Sequence, residues 1–257
     1  MGLPHRPCPS IPPPGLCAVQ GLISTTILSF DIGQTLVELD LDFLARRLAE
    51  HGLEVAPGAL AAASPAAWAH YDVLVDSGIG HPWRELMRAL LAGAGVDPSR
   101  VGPAAEWLWE QQPVANLFRR PIAPMVALAR ELSARGSPLI VVSNSEGRLA
   151  ELLAEIGLID LFATIVDSGR IGIEKPDPRI FRHALAQIGA PADAPVIHIG
   201  DAWAADITGA LSVGWRAIWY GRRASTSNLA GPVDDSRVGV AADAAETRAI
   251  LTRWGAL

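Results

Sequence analysis

The sequence predicts an α/β protein in which a parallel sheet is covered by helices on both faces, and three observations carry that prediction. Short Val/Ile/Leu-rich runs alternate with segments of helical period from Pro121 to Tyr220. The runs lack the in-and-out alternation of half-exposed strands, as expected when both faces are buried. Acidic and polar residues follow several of them directly, at the strand ends where open α/β sheets bind ligands.

Length and composition set the frame. At 257 residues the chain exceeds the usual size of one domain, so a core with a smaller satellite is expected. A hydrophobic share of 50% against 19% charged supplies a sizeable core and excludes global disorder. The net charge of -6 argues against a nucleic-acid or anionic-membrane partner, since phosphate backbones recruit clustered Lys and Arg. The pairs Arg46–Arg47, Arg119–Arg120 and Arg222–Arg223 read as solvated helix or loop ends. Cys8 and Cys17 stand in a Pro-rich leader without ligand spacing, so neither a disulfide framework nor a zinc site is expected, and a reducing cytoplasm fits. Pro7 to Phe30 carries no charge, which raises a secretory leader, but the prolines at 12 to 14 break its apolar region. Residues 1–22 are therefore expected to be a loose extension of a soluble protein.

The elements follow in order. Ile23 to Phe30 reads as the first strand, and Leu36 to Asp40 as a short extended flap. Leu41, Leu44 and Leu48 keep helical spacing up to Gly52. Trp83, Leu86, Met87, Leu90 and Leu91 form a full helical stripe opened by Pro82 and closed near Gly93. Residues 41–118 are thus expected to be all-helical, with Trp68, Trp83, Trp107 and Trp109 as a small bundle's core. Beyond Pro121 come a helix to Gly136, a strand over Pro138 to Val142 and a helix over Leu149 to Ile156. A strand over Phe162 to Val166, a helix over Pro178 to Ile188 and a strand over Val196 to Ile199 follow. A helix over Asp206 to Val213, a strand over Trp215 to Tyr220, a surface turn at Asp234 to Arg237 and a last helix over Ala241 to Trp254 complete the chain.

Four polar segments carry the chemistry. Asp31 follows the first strand, and Gly33 lets the turn behind it fold tightly. Ser143 and Asn144 end the second core strand, offering a hydroxyl and backbone N–H groups to phosphate oxygens. Lys175 lies among Gly172, Pro176 and Pro178, where a cation could neutralise a transferring phosphoryl group. Asp201 and Asp206 follow Gly200, and two close carboxylates repel unless a hard cation or a lysine lies between them.

On these four motifs, in this order, the stretch from Ile27 to Tyr220 resembles the haloacid dehalogenase-like hydrolase superfamily, phosphatase type. The resemblance implies a Rossmann-like, doubly wound core made of residues 23–40 and 119–257, with residues 41–118 as an inserted α-helical cap. It implies Asp31 as nucleophile, with Ser143 and Lys175 holding the phosphoryl group and Thr35 and Asn144 beside them at the substrate. It also implies Mg²⁺ held by Asp31, the Gly33 carbonyl and Asp201, with Asp206 in the metal shell or supporting Lys175. The substrate would be a small phosphorylated metabolite, and nothing points to a membrane or nucleic-acid partner.

One departure stands out. Most phosphatases of this family carry a second Asp two residues after the nucleophile, to protonate the leaving group, and here that position is Gly33, as in some phosphatase-like members. Either the substrate has a good leaving group or another residue supplies the proton, with Glu146, His70 and His81 as candidates. A 2-haloacid dehalogenase would need no metal, which leaves the Asp201/Asp206 pair without purpose. A catalytically weakened binding module is the reading from a different class. His198 is expected to pack in the core with its imidazole on backbone groups, and Trp203 to shape the entrance or pack against the cap.

Overall fold

The structure, a computed structural model, describes residues 26–79, 81–225 and 234–257. The Pro-rich extension, both cysteines and the start of the predicted first strand lie outside the described residues. The first strand, β1 (Ile27–Phe30), is wholly buried, and β2 (Val37–Leu39) follows it. Four helices come next: α1 (Leu41–Glu50), α2 (Pro57–Asp76), α3 (Trp83–Gly93) and α4 (Pro98–Gln111). The chain returns through β3 (Phe118–Pro121), which pairs antiparallel with β2 in a two-stranded ribbon. The sequence reading missed β3, because a four-residue strand containing two arginines has no apolar period and exists only through its partner.

From there helices and strands alternate: α5 (Ala123–Ala134), β4 (Leu139–Ser143), α6 (Leu149–Glu155), β5 (Thr164–Asp167), α7 (Ser168–Ile171), α8 (Pro178–Gln187) and β6 (Val196–Gly200). A π-helical turn over Trp203–Thr208 leads into α9 (Gly209–Ser212), then β7 (Arg216–Tyr220), β8 (Val238–Ala241) and α10 (Ala244–Arg253). The main sheet has the order β5-β4-β1-β6-β7-β8, with every neighbouring pair parallel. This is the expected doubly wound arrangement with one further edge strand, β8, which the sequence reading left unassigned apart from Ala241, taken there as the start of the last helix.

Alternation within each strand divides the core. Leu28, Leu139, Val141, Ile197, Ile199 and Ile218 pack on one face with α5, α6 and α10. Ile27, Ile140, Val142, Val196, Ala217 and Trp219 pack on the other with α8 and α9. The four-helix insert has its own core, which includes Leu44, Leu48, Leu60, Trp83, Leu86, Met87, Leu90, Leu91 and Leu108. Trp83 is buried there as expected, whereas Trp68, Trp107 and Trp109 are only partly buried. Among the described residues no helix is long and apolar enough to cross a membrane.

Because β4 and β6 flank β1 and the strand order departs in opposite directions from it, the carboxyl ends of these three strands open into one crevice.

Candidate active site

Each strand end delivers one polar group to that crevice. Asp31 follows β1, Ser143 closes β4 and Asp201 follows β6. The main chain of Asp31 is fixed by its N–H donating to the Ile199 carbonyl at 2.9 Å. The loop behind it closes through Gln34 N–H to Val37 O and Val37 N–H to Ile32 O, which leaves the Gly33 carbonyl without a hydrogen bond among the described residues. The left-handed position of this turn is Gln34, at φ 55°, and not Gly33. The predicted reason for a glycine there therefore does not hold: a Cβ at Gly33 would meet nothing within 4 Å.

Lys175 binds the parts together. Its Nζ donates to Asp31 Oδ1 at 2.7 Å and to Asp206 Oδ1 at 2.5 Å, and only 5% of the residue is exposed. Ser143 Oγ donates to the same Asp31 Oδ1 at 2.8 Å, so both donors converge on one oxygen. Asn144 holds the lysine's main chain from both sides: its Nδ2 donates to Lys175 O at 3.1 Å, and Lys175 N donates to its Oδ1 at 2.8 Å. The Asn144 amide is thus committed to positioning Lys175. Thr35 is wholly buried, with its hydroxyl lacking a partner among the described residues, so it underlies the loop instead of lining an open surface.

Asp206 sits in the π-helical turn, whose extra residue per turn turns its side chain back toward β6. Its Oδ2 accepts from the Ala202 N–H at 2.9 Å, and its Oδ1 receives both Lys175 and His198 Nε2, the latter at 3.1 Å. Gly200 makes room for it, since a Cβ there would stand 2.3 Å from Asp206 Cγ. His198 is buried as expected, but its partners are side chains and not backbone: Nδ1 meets Ser29 Oγ at 2.8 Å. Trp203 packs edge-on to Trp219 at 5.0 Å and joins the sheet core instead of the insert.

Asp167 escaped the sequence reading. It accepts from the N–H groups of Gly147, Leu149 and Gly169 and so fixes the loop behind Ser143. An acidic residue directly after a β-branched run was the available signal, the same one that singled out Asp31.

Asp31, Asp201 and Asp206 each place a carboxylate oxygen within 4.8 Å of the others. Lys175 is the one ammonium among them, so three carboxylates and one cation carry a formal surplus of two negative charges. Titration behaviour follows. Burial pushes the Asp31 carboxyl up, and Lys175 only partly offsets it. Burial and then repulsion from Asp31 and Asp206 push Asp201 well above the usual carboxylate range. Asp206 behaves oppositely, because Lys175 and His198 outweigh its burial and hold it low. Burial would pull the Lys175 ammonium down, but Asp206 and Asp31 outweigh it and raise it. The donor set fits a hard divalent cation: oxygen-only, two negative charges in surplus, and an Asp201 carboxylate without a hydrogen-bond donor among the described residues.

A haloacid dehalogenase-like hydrolase family model matches residues 26–214. The chain is 34% identical over 202 residues to haloacid dehalogenase-like hydrolase domain-containing protein 3 of Bos taurus, covering 73% of this chain and 78% of that one. It is 37% identical over 145 residues to a phosphoserine phosphatase of Thermus thermophilus, covering 55% of each chain. Among solved structures, a HAD family hydrolase from Deinococcus radiodurans with bound phosphate and sodium superposes with a TM-score of 0.56 at 23% identity, covering 91% of this chain and 98% of that one, a likeness of fold.

Proposed function

The chain belongs to the haloacid dehalogenase-like hydrolase family and is a hydrolase, and from that premise we propose that it is a Mg²⁺-dependent phosphohydrolase acting on a small phosphorylated metabolite through a phosphoenzyme at Asp31. The observation that carries this reading is the convergence of Ser143 and Lys175 on one oxygen of Asp31, beside the second carboxylate of Asp201. That convergence orients the carboxylate and leaves Oδ2 for attack on phosphorus. The same two donors pass to the phosphoryl oxygens as the acyl phosphate forms and the ester oxygen leaves; water then attacks phosphorus and frees Asp31.

Asp31, Asp201 and the Gly33 carbonyl would hold the Mg²⁺. Bound there, the ion offsets the repulsion between an anionic nucleophile and an anionic substrate. Asp206 has both oxygens engaged by protein donors, so its part is to hold Lys175 rather than to complete the metal shell. The helical insert, residues 41–118, is the cap that closes over the crevice and selects the substrate. The 37% identity to a phosphoserine phosphatase supports phosphate-ester chemistry without naming this chain's substrate.

Phosphate release from 4-nitrophenyl phosphate, with and without Mg²⁺, tests the reading. Turnover that requires the metal and falls by on the order of 10⁴ or more in Asp31→Asn is expected. Halide release from a 2-haloacid without metal, or binding of a phosphorylated ligand with no turnover, would overturn it.

A further inference from the structure

Gly33 leaves the proposed reaction without a carboxylic acid two residues past the nucleophile, so a proton donor has to come from elsewhere. Trp68, Tyr71, Asp72 and Asp76 share one face of α2. Arg222 and Arg223 lie just beyond β7 and grip that face. Arg222 pairs with Asp72 and lies 4.4 Å over the Trp68 ring, while Arg223 bonds the Asp72 carboxylate at 2.9 Å and its carbonyl at 3.1 Å and pairs with Asp76. The expectation that this arginine pair is merely solvated does not hold.

The segment that carries this grip runs along the site: Trp219 Nε1 donates to Asp201 O at 2.9 Å, and a Cβ at Gly221 would stand 3.8 Å from Gln34 O in the loop behind Asp31. Tyr71, on the gripped face, meets His81 Nδ1 through its hydroxyl at 3.0 Å, with the two rings edge to face. His81 Nε2 has no partner among the described residues, and the residue is exposed. The charges of the site reach both groups. Tyr71 is pushed up by burial and then by Asp201; His81, though exposed as a residue, has enough protein around its imidazole to be pulled down, and Asp31 draws it partly back. The other two candidates lack this placement. Glu146 bonds Asn116 and Ser145 and feels Asp167 rather than Asp31, and His70 is exposed off the gripped face.

We propose that His81, oriented through Nδ1 by Tyr71, is the residue that protonates the leaving group, a role that rests on the phosphoenzyme reading above. As the bond from Asp31 to phosphorus forms and the ester P–O bond breaks, the Nε2 proton passes to the departing oxygen. In the second step neutral Nε2 takes a proton from the attacking water, phosphate departs, and the imidazolium is restored. The tyrosine oxygen accepts from Nδ1–H in both states, which holds the neutral ring in the tautomer whose Nε2 is free to take the proton. Substrates with poor leaving groups, sugar or hydroxy-acid phosphates among them, come within reach of a site that has glycine at position 33.

A series of substituted phenyl phosphates with Mg²⁺ tests this. In His81→Asn, kcat/KM for phenyl phosphate, which reports phosphoenzyme formation, is expected to fall about 10²-fold while kcat/KM for 4-nitrophenyl phosphate changes by less than about threefold, because only the poorer leaving group needs the proton in that step; kcat, which includes the second step, falls for both. Tyr71→Phe, which keeps the ring and removes the hydroxyl, should steepen the same dependence to a smaller degree. An equal loss of kcat/KM across the series, or none, would overturn the role of His81. Turnover retained by Asp31→Asn in the same series would instead overturn the phosphoenzyme reading.

Discussion

The sheet edge and the helical insert answer to different physics. At the edge four functional groups are over-determined: Asp31, Ser143, Lys175 and Asp206 share one buried hydrogen-bonded cluster whose members are at most 7% exposed. On the insert, Trp68 and Tyr71 are only partly covered and His81 is exposed, and α2 is tied to the sheet by ion pairs of Asp72 and Asp76 with Arg222 and Arg223. A reaction common to many substrates needs the first kind of construction, and a surface that chooses among them can be built in the second. The difference teaches where a substitution should be lethal and where it should tune.

The largest effect is expected at the centre of the edge. Lys175→Met leaves Asp31 and Asp206 buried without their cation, which should cost about 3–5 kcal/mol of stability in urea unfolding and abolish turnover. An unchanged unfolding midpoint would break the contrast. Next is the vacant acid position. Gly33→Asp meets no steric obstacle and should raise phenyl phosphate turnover by roughly 10-fold or more, with the greatest gain in a His81→Asn background.

A third outcome concerns metal and pH. Asp31 and Asp201 have folded pKa values above the usual range, so in the metal-free protein their ionisation opposes folding and stability is lost as pH rises through those values. Mg²⁺ must displace these protons, and its stabilising shift in melting temperature should be larger at pH 8 than at pH 5. The smallest effect belongs to the grip. A double-mutant cycle between Asp72 and Arg223 should give a coupling of only about 0.5–1 kcal/mol, weakened by salt, together with a changed KM. A coupling as large as that of the Lys175 cluster would erase the distinction between the regions.

Legibility in the sequence divides along the same line. Strands buried on both faces are continuous apolar runs, so β1, β4, β6 and β7 were found to within a residue or two over the described chain, and the residues behind them fell together. The partners within the cluster were not legible: that Asn144 serves the Lys175 main chain, that His198 serves Asp206, and that Gln34 takes the left-handed turn all depend on contacts between distant segments. Helical period revealed the stripe of α3, but it does not say which face of α2 looks at the sheet. That is set by Arg222 and Arg223 after β7, far along the chain.

The account stands most directly on where phosphate is held during turnover. Enzyme quenched in acid during steady-state hydrolysis with Mg²⁺ should carry an acyl phosphate on the peptide containing Asp31, and none in Asp31→Asn. Turnover at full rate with no phosphoryl group on that peptide, or with one on another residue, would contradict it.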